Sequence, residues 1–311
     1  MFGNTREESH CEHFQYFYRG TVADMTRDPR DPVDVYDDAA VNAWIQDDPD
    51  PVTRAELTEL LTAAGAHGKQ AEEARAAISD AFSDTLAFGT AGLRGRLGGG
   101  PNRMNRVVVI RAAAGLSTYL KDRLGEGFSV VIGYDARHNS EQFARDTAAV
   151  VTGAGGRAIL FESHCPTPVL AFALRRLEAD AGVMVTASHN PPQDNGYKVY
   201  LGGRAVTDSG QGAQIVPPYD AQISAAIDAV GPIASVPRPQ SGWETVDPAI
   251  REEYIERAAQ AARMKAPTPV RIVLTAMHGV GGTICREVLA QVGFTDVVEV
   301  TEQFEPDPDF P

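Results

Sequence analysis

The sequence predicts an α/β protein: a three-layer α/β/α domain with a mostly parallel sheet, followed by an incomplete second α/β/α domain. The first reason is that short apolar runs rich in Val and Ile alternate with longer amphipathic stretches, as in parallel strands joined by helices. The second reason is length, because 311 residues are typical of about two domains. Hydrophobic residues make up 43% of the chain, which supplies a core of ordinary size.

Composition divides the chain into three segments. Residues 1–40 are rich in charge and proline and are expected to be a loosely ordered extension. Residues 41–210 are expected to form the first α/β/α domain, and residues 211–311 a linker with the truncated second domain. The change in composition also makes Met25 an alternative to Met1 as the true start, which N-terminal sequencing of the natural protein would decide.

The charge balance limits the partners. A formal net charge of -14 argues against nucleic acid and against an anionic membrane surface, because both require clustered Lys and Arg. No apolar run is long enough to span a bilayer and the first ten residues are polar, so a cytoplasmic location is expected. An anionic ligand would have to be bound by a local group of cations.

The cysteines predict no disulfide framework. Cys11, Cys165 and Cys285 are scattered and odd in number, which suits a reducing compartment. His10 and His13 flank Cys11, but a second ligand group at a zinc-site spacing is missing from the sequence, so no metal site is expected there.

Three helices are predicted ahead of a glycine-rich loop. Val41 and Trp44 share the apolar face of the first helix, and Thr53 with Glu56 has the spacing of a capping box for the second. The third helix is expected at residues 71–86.

Residues 88–100 are predicted to form a loop dense in glycine and arginine. Glycines let backbone N–H groups approach a phosphate closely, and Arg94 can bind two phosphate oxygens at once. The loop is neither a Walker A nor a Rossmann sequence, so nucleotide binding is not indicated. A flexible hairpin with solvated arginines is the alternative.

Four strands and three helices then alternate, which predicts a mostly parallel sheet with helices on both faces. The strands are expected at residues 107–110, 128–135, 157–161 and 182–185, and the helices at residues 112–124, from Ser140 onward and at 168–177. Arg137 follows the second strand and is expected to fix a loop near the site, with direct ligand binding as the less favoured role.

The fourth strand ends abruptly in small and polar residues, Thr186-Ala187-Ser188-His189-Asn190-Pro191-Pro192. Ligands of α/β sheets collect at the carboxyl ends of strands, so the Ser188 hydroxyl is predicted to face a substrate. Residues 195–198 are expected to bring a turn and then a cation, Lys198. An ordinary connection between a strand and a loop is the alternative for the motif alone.

The second unit contains fewer elements. Helices are expected at residues 219–229 and 250–262, and strands at residues 270–277 and 297–300. The glycine-rich turn from His278 to Thr283 is either an anion site or a packing turn, and packing is favoured because no group of basic residues converges on it. Two strands and one following helix are too little to cover a parallel sheet on both faces.

Four motifs occur in a characteristic order. They are FGTAGLRG at residues 88–95, TASHNP at 186–191, NGYK at 195–198 and LTAMHGVGG at 274–282. Together they resemble the α-D-phosphohexomutase superfamily, and most closely the amino-terminal portion of its phosphoglucomutase, phosphomannomutase and phosphopentomutase branch. The resemblance extends over residues 40–311.

The resemblance implies a phosphosugar mutase. Ser188 would carry a phosphoryl group as phosphoserine, lend it to a sugar phosphate and recover it from the other oxygen of a sugar bisphosphate. Lys198 would transfer a proton or steady the moving group, and His189 would contact the phosphate or assist the sugar hydroxyl; a solvated lysine and a loop-fixing histidine are the alternatives. The residues implied to bind substrate or phosphate are Thr90, Gly92, Arg94, Asn190 and Arg137.

The family also implies Mg²⁺, which would be bound by the phosphate on Ser188 and by an aspartate-rich loop, and a sugar bisphosphate activator. In this chain Asp307 and Asp309 are followed by Phe310, where such a loop would continue to a third aspartate. The chain is therefore expected to be an amino-terminal fragment that does not complete turnover alone.

Two alternatives to a mutase remain open. A hydrolase triad would use Ser188 and His189, but the G-x-S-x-G elbow is missing, and triad partners meet in space and not as sequence neighbours. The other alternative is a non-catalytic remnant that binds a phosphosugar or a partner.

The identity of the sugar is also open: hexose 1- and 6-phosphates are the first candidates, and pentose 1- and 5-phosphates are the second.

Overall fold

The computed structural model describes residues 36–262 and 269–311. Residues 1–35 of the expected extension lie outside this part of the chain, and so do Met1, Met25 and the histidines near Cys11. The expectations for these residues stay predictions.

Helices and strands alternate along the described residues, which confirms the α/β prediction. The helices are α1 (Asp38–Asp47), α2 (Pro51–Ala64), α3 (Lys69–Phe82), α4 (Arg106–Leu124), α5 (Ser140–Gly153), α6 (Thr167–Arg176), α7 (Tyr219–Asp228), α8 (Ala249–Ala261) and α9 (Gly282–Val292). The strands are β1 (Leu93–Arg96), β2 (Ser129–Tyr134), β3 (Arg157–Leu160), β4 (Ala181–Val185), β5 (Asp194–Leu201), β6 (Glu244–Thr245), β7 (Ile272–Leu274) and β8 (Val297–Glu299).

Six strands form one mixed sheet in the order β1-β5-β4-β2-β3-β6. The pairs of β2 with β3, β2 with β4 and β3 with β6 are parallel, whereas β5 is antiparallel to both β4 and β1. Successive residues of β2 point to opposite faces: Val130 and Ile132 pack under α4, α5 and α7, and Val131 packs under α6 and α8. The result is the predicted three-layer arrangement.

The second α/β unit has a small sheet of its own. β7 and β8 pair in parallel, and α9 connects them. Val273 and Val298 on these strands are exposed, so this sheet has less cover than the six-stranded one. None of the helices in the described residues is long and apolar enough to cross a membrane; the cytoplasmic location stays a prediction.

The prediction of a strand at residues 107–110 is wrong, because these residues form the first turn of α4. Asn105 caps this helix through its side-chain oxygen, which accepts a hydrogen bond from the backbone N–H of Val108 at 3.0 Å. All four residues are buried, so the helix presents apolar side chains around its first turn. A short apolar run of this kind does not distinguish a buried strand from a buried helix.

The predicted capping box at Thr53 and Glu56 is also wrong. Asp50 caps α2 and Pro51 is its first residue, so the helix begins earlier than predicted. The Thr53 hydroxyl instead donates to buried Asp48 at 2.6 Å, and Glu56 accepts a hydrogen bond from the backbone N–H of Gly99 at 3.0 Å. Helix α2 therefore holds the glycine-rich segment that follows β1.

Candidate active site at the Ser188 turn

Ser188 lies in a tight turn at the carboxyl end of β4. Thr186 and Ala187 are buried, whereas Ser188 and His189 are exposed. Ser188 has a φ of 59°, a left-handed conformation that is uncommon outside glycine and is often found at functional sites. Its backbone N–H donates to Thr186 Oγ1 at 2.9 Å, and its Oγ lies 3.5 Å from His189 Nδ1. The turn thus projects the hydroxyl into solvent beside an imidazole.

The buried side chain of Arg137 holds this turn in place. Its two terminal nitrogens donate to four backbone carbonyl oxygens of the turn, those of Ser188 (2.9 Å), Asn190 (2.6 Å), Pro191 (2.8 Å) and Asp194 (3.1 Å). Its side chain is 2% exposed, and the carboxylate of Asp135 lies 3.4 Å from its Nε. Burial lowers the pKa of Arg137, while the charges of Asp135 and Asp194 act in the opposite direction. A buried charge with this many backbone acceptors keeps the turn in one conformation.

Arg94 and Lys198 lie on one face of the antiparallel β1–β5 pair. Arg94 is opposite Gly196 in the register, and Lys198 is two residues further along β5, so both side chains leave the same face. Arg94 Nη1 donates to Asn190 Oδ1 at 3.0 Å. Burial, and then the charge of Arg94, lower the pKa of Lys198, while Asp135 acts to raise it. Two cations therefore converge beside the Ser188 turn.

Two expectations about this pair of strands need correction. Arg94 lies on a strand and not in a loop, and residues 195–198 continue β5 instead of forming a turn. The sequence reasoning missed these strands because their residues are mostly glycine and polar types. The alternation of Tyr197 and Val199 with Lys198 was the available signal for β5.

Gly92 is required by packing. Its φ is 75°, and a Cβ atom there would lie 2.0 Å from the backbone oxygen of Tyr197. Gly196 is equally confined, because a Cβ atom would lie 2.6 Å from the Thr186 oxygen. The exposed residue Thr90 lies before β1, where its carbonyl accepts a hydrogen bond from Gln214 at 2.7 Å. These glycines let β1 approach β5 closely enough to bring Arg94 to the Ser188 turn.

Comparison with known families adds to this geometry. The family description "Phosphoglucomutase/phosphomannomutase, alpha/beta/alpha domain I" matches residues 85–231, which contain Arg94, Ser188 and Lys198. Domain II of the same family matches residues 252–311.

The chain belongs to the α-D-phosphohexomutase superfamily.

Relatives named as phosphomutases match much of this chain. A Haemophilus influenzae protein named "Probable phosphomannomutase" is 47% identical over 210 residues, which cover 67% of this chain and 42% of that protein. The phosphoribomutase of Saccharomyces cerevisiae is 34% identical over 322 residues, which cover 94% of this chain and 47% of that protein. A phosphoglucomutase/phosphomannomutase family protein of Burkholderia thailandensis shares the fold, with a TM-score of 0.56 at 23% identity over 72% of this chain and 45% of that one. The chain spans less than half the length of each.

Three polar residues that were not chosen as site residues from the sequence lie around the Ser188 turn. Asp194 Oδ2 accepts a hydrogen bond from the Asn190 amide at 2.8 Å, which orients the amide oxygen toward Arg94. Asn195 is fully buried, and its amide donates to the His138 carbonyl and to Ser140 Oγ, both at 2.9 Å. Asp135 also accepts from Ser140 Oγ, at 2.7 Å. The sequence signals for this network were Asp135 at the end of the second predicted strand and Asn195 directly before Gly196.

The described residues do not by themselves assemble a Mg²⁺ site. Residues 36–262 and 269–311 contain no group of three or more His, Cys, Asp or Glu side chains placed to hold a metal ion. Near Ser188, the carboxylates of Asp135 and Asp194 are engaged by Ser140, Arg137 and Asn190. The local donor set therefore fits a phosphate better than it fits a hard cation, which prefers several carboxylate oxygens.

Proposed function

We propose that this chain carries the phosphoserine domain of a phosphosugar mutase. The observation that carries the proposal is the exposed Ser188 hydroxyl on a turn held by a buried arginine, with Arg94 and Lys198 beside it. A phosphoryl group on Ser188 would bring a charge of about -1.5 to -2. Arg94 supplies one positive charge beside it, and Lys198 adds a second while it is protonated. Positioning and positive charge account for most of the catalysis of phosphoryl transfer.

Each residue has a role in the proposed transfer. The bond between Ser188 Oγ and phosphorus breaks while a sugar hydroxyl oxygen bonds to phosphorus. The proton of the sugar hydroxyl moves to a base, and the departing Ser188 Oγ takes up a proton. Lys198 is the proposed base, because burial and the charge of Arg94 lower its pKa and so weaken its hold on its own proton. Arg94 binds the phosphate oxygens, and His189 contacts the phosphate on Ser188. In the second transfer, the bond between phosphorus and the other oxygen of the sugar bisphosphate breaks while Ser188 Oγ bonds to that phosphorus. The serine hydroxyl gives up its proton, the freed sugar oxygen takes one up, and the phosphoserine is restored.

The substrate is proposed to be a phosphosugar, with a sugar bisphosphate as activator and intermediate. Relatives are named as a phosphomannomutase and a phosphoribomutase, which supports exchange between positions 1 and 6 of a hexose or positions 1 and 5 of a pentose. Mg²⁺ would neutralise part of the charge of the phosphoserine in such a mutase. The described residues gather no further ligands for the ion, so the proposed transfer depends on the side chains of this chain alone.

Phosphorylation of Ser188 tests the proposal on the chain as it is. The 311-residue chain, Ser188→Ala and Ser209→Ala would each be incubated with glucose 1,6-bisphosphate and Mg²⁺ and examined by intact mass and peptide mapping. Ser209 is exposed in a loop and serves as the matched control. One phosphate is expected at Ser188 in the wild-type chain and in Ser209→Ala, and none in Ser188→Ala.

The opposite result would favour a different function. If Ser188 takes no phosphate, either in the chain as purified or after treatment with the bisphosphate, the phosphoryl-carrier role is refuted. Saturable binding of glucose 6-phosphate in that case would support a non-catalytic binding protein instead.

A further inference from the structure

The last residues of the chain form a turn that is held by the second α/β unit. The backbone N–H of Asp307 donates to the carbonyl of His278, in the loop after β7, at 3.1 Å. Within the turn, the N–H of Asp309 donates to Asp307 Oδ1 at 2.9 Å, and the N–H of Phe310 donates to the Asp307 carbonyl at 3.3 Å. Phe310 has a φ of 47°, a strained conformation for an aromatic residue that requires support from its surroundings.

This terminal turn, residues 305–311, contacts the loop that holds Ser188. The Phe310 ring stacks on Arg137, with 4.8 Å between the guanidinium carbon and the ring centroid. Beside it, Asp309 Oδ1 lies 2.8 Å from His138 Nε2. Both contacts fall on consecutive residues of the loop between β2 and α5. The second unit therefore reaches the Ser188 turn through a single intermediate residue, Arg137.

The Phe310 ring covers a cation that is held by backbone carbonyls and by Asp135 and is almost entirely removed from water. The two terminal nitrogens of Arg137 are committed to the carbonyls of the Ser188 turn, while its buried Nε has no hydrogen-bond partner in the described residues. An aromatic face attracts a cation more strongly when the cation is removed from water. The Arg137 side chain is nearly fully buried, so the ring contributes more than it would at an open surface.

The Asp309 contact is weaker by the same reasoning. The side chains of His138 and Asp309 are 51% and 75% exposed, and exposed ion pairs contribute little. The pair orients the terminal turn, while the ring of Phe310 supports the guanidinium.

We infer that Phe310 is a positioning residue: it keeps Arg137 seated under the Ser188 turn and so connects the order of that turn to the second α/β unit. Without the ring, water reaches the guanidinium and competes for its hydrogen bonds to the carbonyls of Ser188 and Asn190. The turn then opens more often. This effect on order stands on the contacts alone, and only its effect on phosphoryl transfer rests on the proposed function.

Hydrogen exchange of the Ser188 turn tests the inference without any assay of activity. Backbone exchange would be followed by mass spectrometry in peptides covering residues 186–196 of the wild-type chain, Phe310→Ala and Phe310→Tyr. The matched control is Tyr219→Ala, which removes a partly buried ring from a different arginine, Arg123, at 5.8 Å. Peptides from α4 report whether each variant remains folded.

Exchange in the turn is expected to be roughly three- to thirtyfold faster in Phe310→Ala, the range for losing a cation–π contact between exposed and desolvated sites. Phe310→Tyr is expected to keep the wild-type rate, and Tyr219→Ala is expected to leave the turn unchanged. The inference is overturned if Phe310→Ala exchanges at the wild-type rate, if Tyr219→Ala accelerates the turn equally, or if Phe310→Tyr behaves as Phe310→Ala does.

Phosphorylation of Ser188 by glucose 1,6-bisphosphate gives a second, separate measurement. A slower rate in Phe310→Ala, restored in Phe310→Tyr, extends the positioning role to the transfer step. Equal rates in both variants and the wild type, together with unchanged exchange, overturn the inference and leave the proposed function intact. If the wild-type chain takes no phosphate, the proposed function fails, while the exchange data still decide the role of Phe310.

Discussion

Replacing Arg137 by alanine is expected to destabilise the fold far more than removing an exposed arginine. A hydrogen bond from a charged donor contributes about 1.5–3 kcal/mol. Simple addition over the four carbonyl acceptors of Arg137 would give roughly 6–12 kcal/mol. Bonds within one network are not additive, and the acceptors lie in a turn that can take up water after truncation. We therefore expect the free energy of unfolding to fall by about 3–5 kcal/mol, the range for removing one partner of a buried charged pair.

Urea unfolding at neutral pH measures this loss. Arg137→Lys is expected to be intermediate, because an ammonium group has three donors and lacks the planar fork that reaches several carbonyls at once. Arg145→Ala is the control, since Arg145 lies on the neighbouring α5 in an exposed pair with Glu141. Its loss is expected to be below about 0.5 kcal/mol. An equal loss in Arg137→Ala and Arg145→Ala would refute the assignment of Arg137 as the residue that holds the turn.

Three other changes have defined outcomes. Gly92→Ala is expected to lower the free energy of unfolding, measured in urea, by more than Gly127→Ala does. Both residues have positive φ (75° and 71°), but an added Cβ atom meets backbone atoms only at Gly92. Gly127→Ala, the control, is expected to lower the free energy of unfolding by about 1 kcal/mol. Lys198→Met is expected to leave the free energy of unfolding unchanged or raised at neutral pH, because the lowered pKa of Lys198 means that the fold disfavours the charged amine. In the same variant, phosphorylation of Ser188, followed by mass spectrometry, is expected to be slower than in the wild type. The pKa of Asp180 is below its ordinary value because hydrogen bonds from Arg204 and other donors outweigh the opposing effect of burial. A depressed pKa stabilises the fold above the unfolded pKa of about 4, and this stability is lost as pH falls through the lower folded pKa. The difference in unfolding free energy between the wild type and Asp180→Asn is therefore expected to shrink between neutral pH and about pH 3.

Each of these three predictions can be contradicted directly. Equal losses in Gly92→Ala and Gly127→Ala would mean that β1 shifts to make room for the added atom. A clear loss of stability in Lys198→Met would mean that the lysine has a favourable partner in the fold. A difference between the wild type and Asp180→Asn that stays constant with pH would mean that the ionised carboxylate contributes nothing through its charge.

The order of elements and the Ser188 turn were predictable from the sequence. The run from Ala181 to Val185 is continuous and apolar, is too short for a helix, and ends in small polar residues, so a buried strand that exposes Ser188 at its end was the natural interpretation. The run VVVI at residues 107–110 is also short and apolar, and is richer in β-branched residues, but it lies in a helix. What distinguishes the two is the side-chain cap of Asn105 and the burial of α4 on several sides, and neither is visible in the run itself.

The geometry of the candidate site was not predictable to the same degree. The acceptors of Arg137 are backbone carbonyls, which every residue carries, so no side-chain pattern marks them. Similarly, the contact between Phe310 and Arg137 joins residues far apart in the chain and from different family domains. Sequence reasoning selected Arg94 and Lys198 one at a time, whereas the strand register places them on one face.

The three cations near Ser188 have different roles: Arg137 supports the fold, whereas Arg94 and Lys198 are available to a ligand. Arg137 is nearly fully buried, and its terminal nitrogens donate hydrogen bonds to the turn, so it is poorly placed to move toward a substrate. The Arg94 side chain donates one hydrogen bond to Asn190, and the side chain of Lys198 has no hydrogen bond or ion pair among the described residues. A rigid turn beside a singly hydrogen-bonded arginine and an unpaired lysine needs little reorganisation to receive a phosphoryl group, and preorganised charge of this kind favours phosphoryl transfer. Truncating Arg137 is therefore expected mainly to disorder the Ser188 turn, whereas truncating Arg94 or Lys198 is expected mainly to weaken the binding of phosphate.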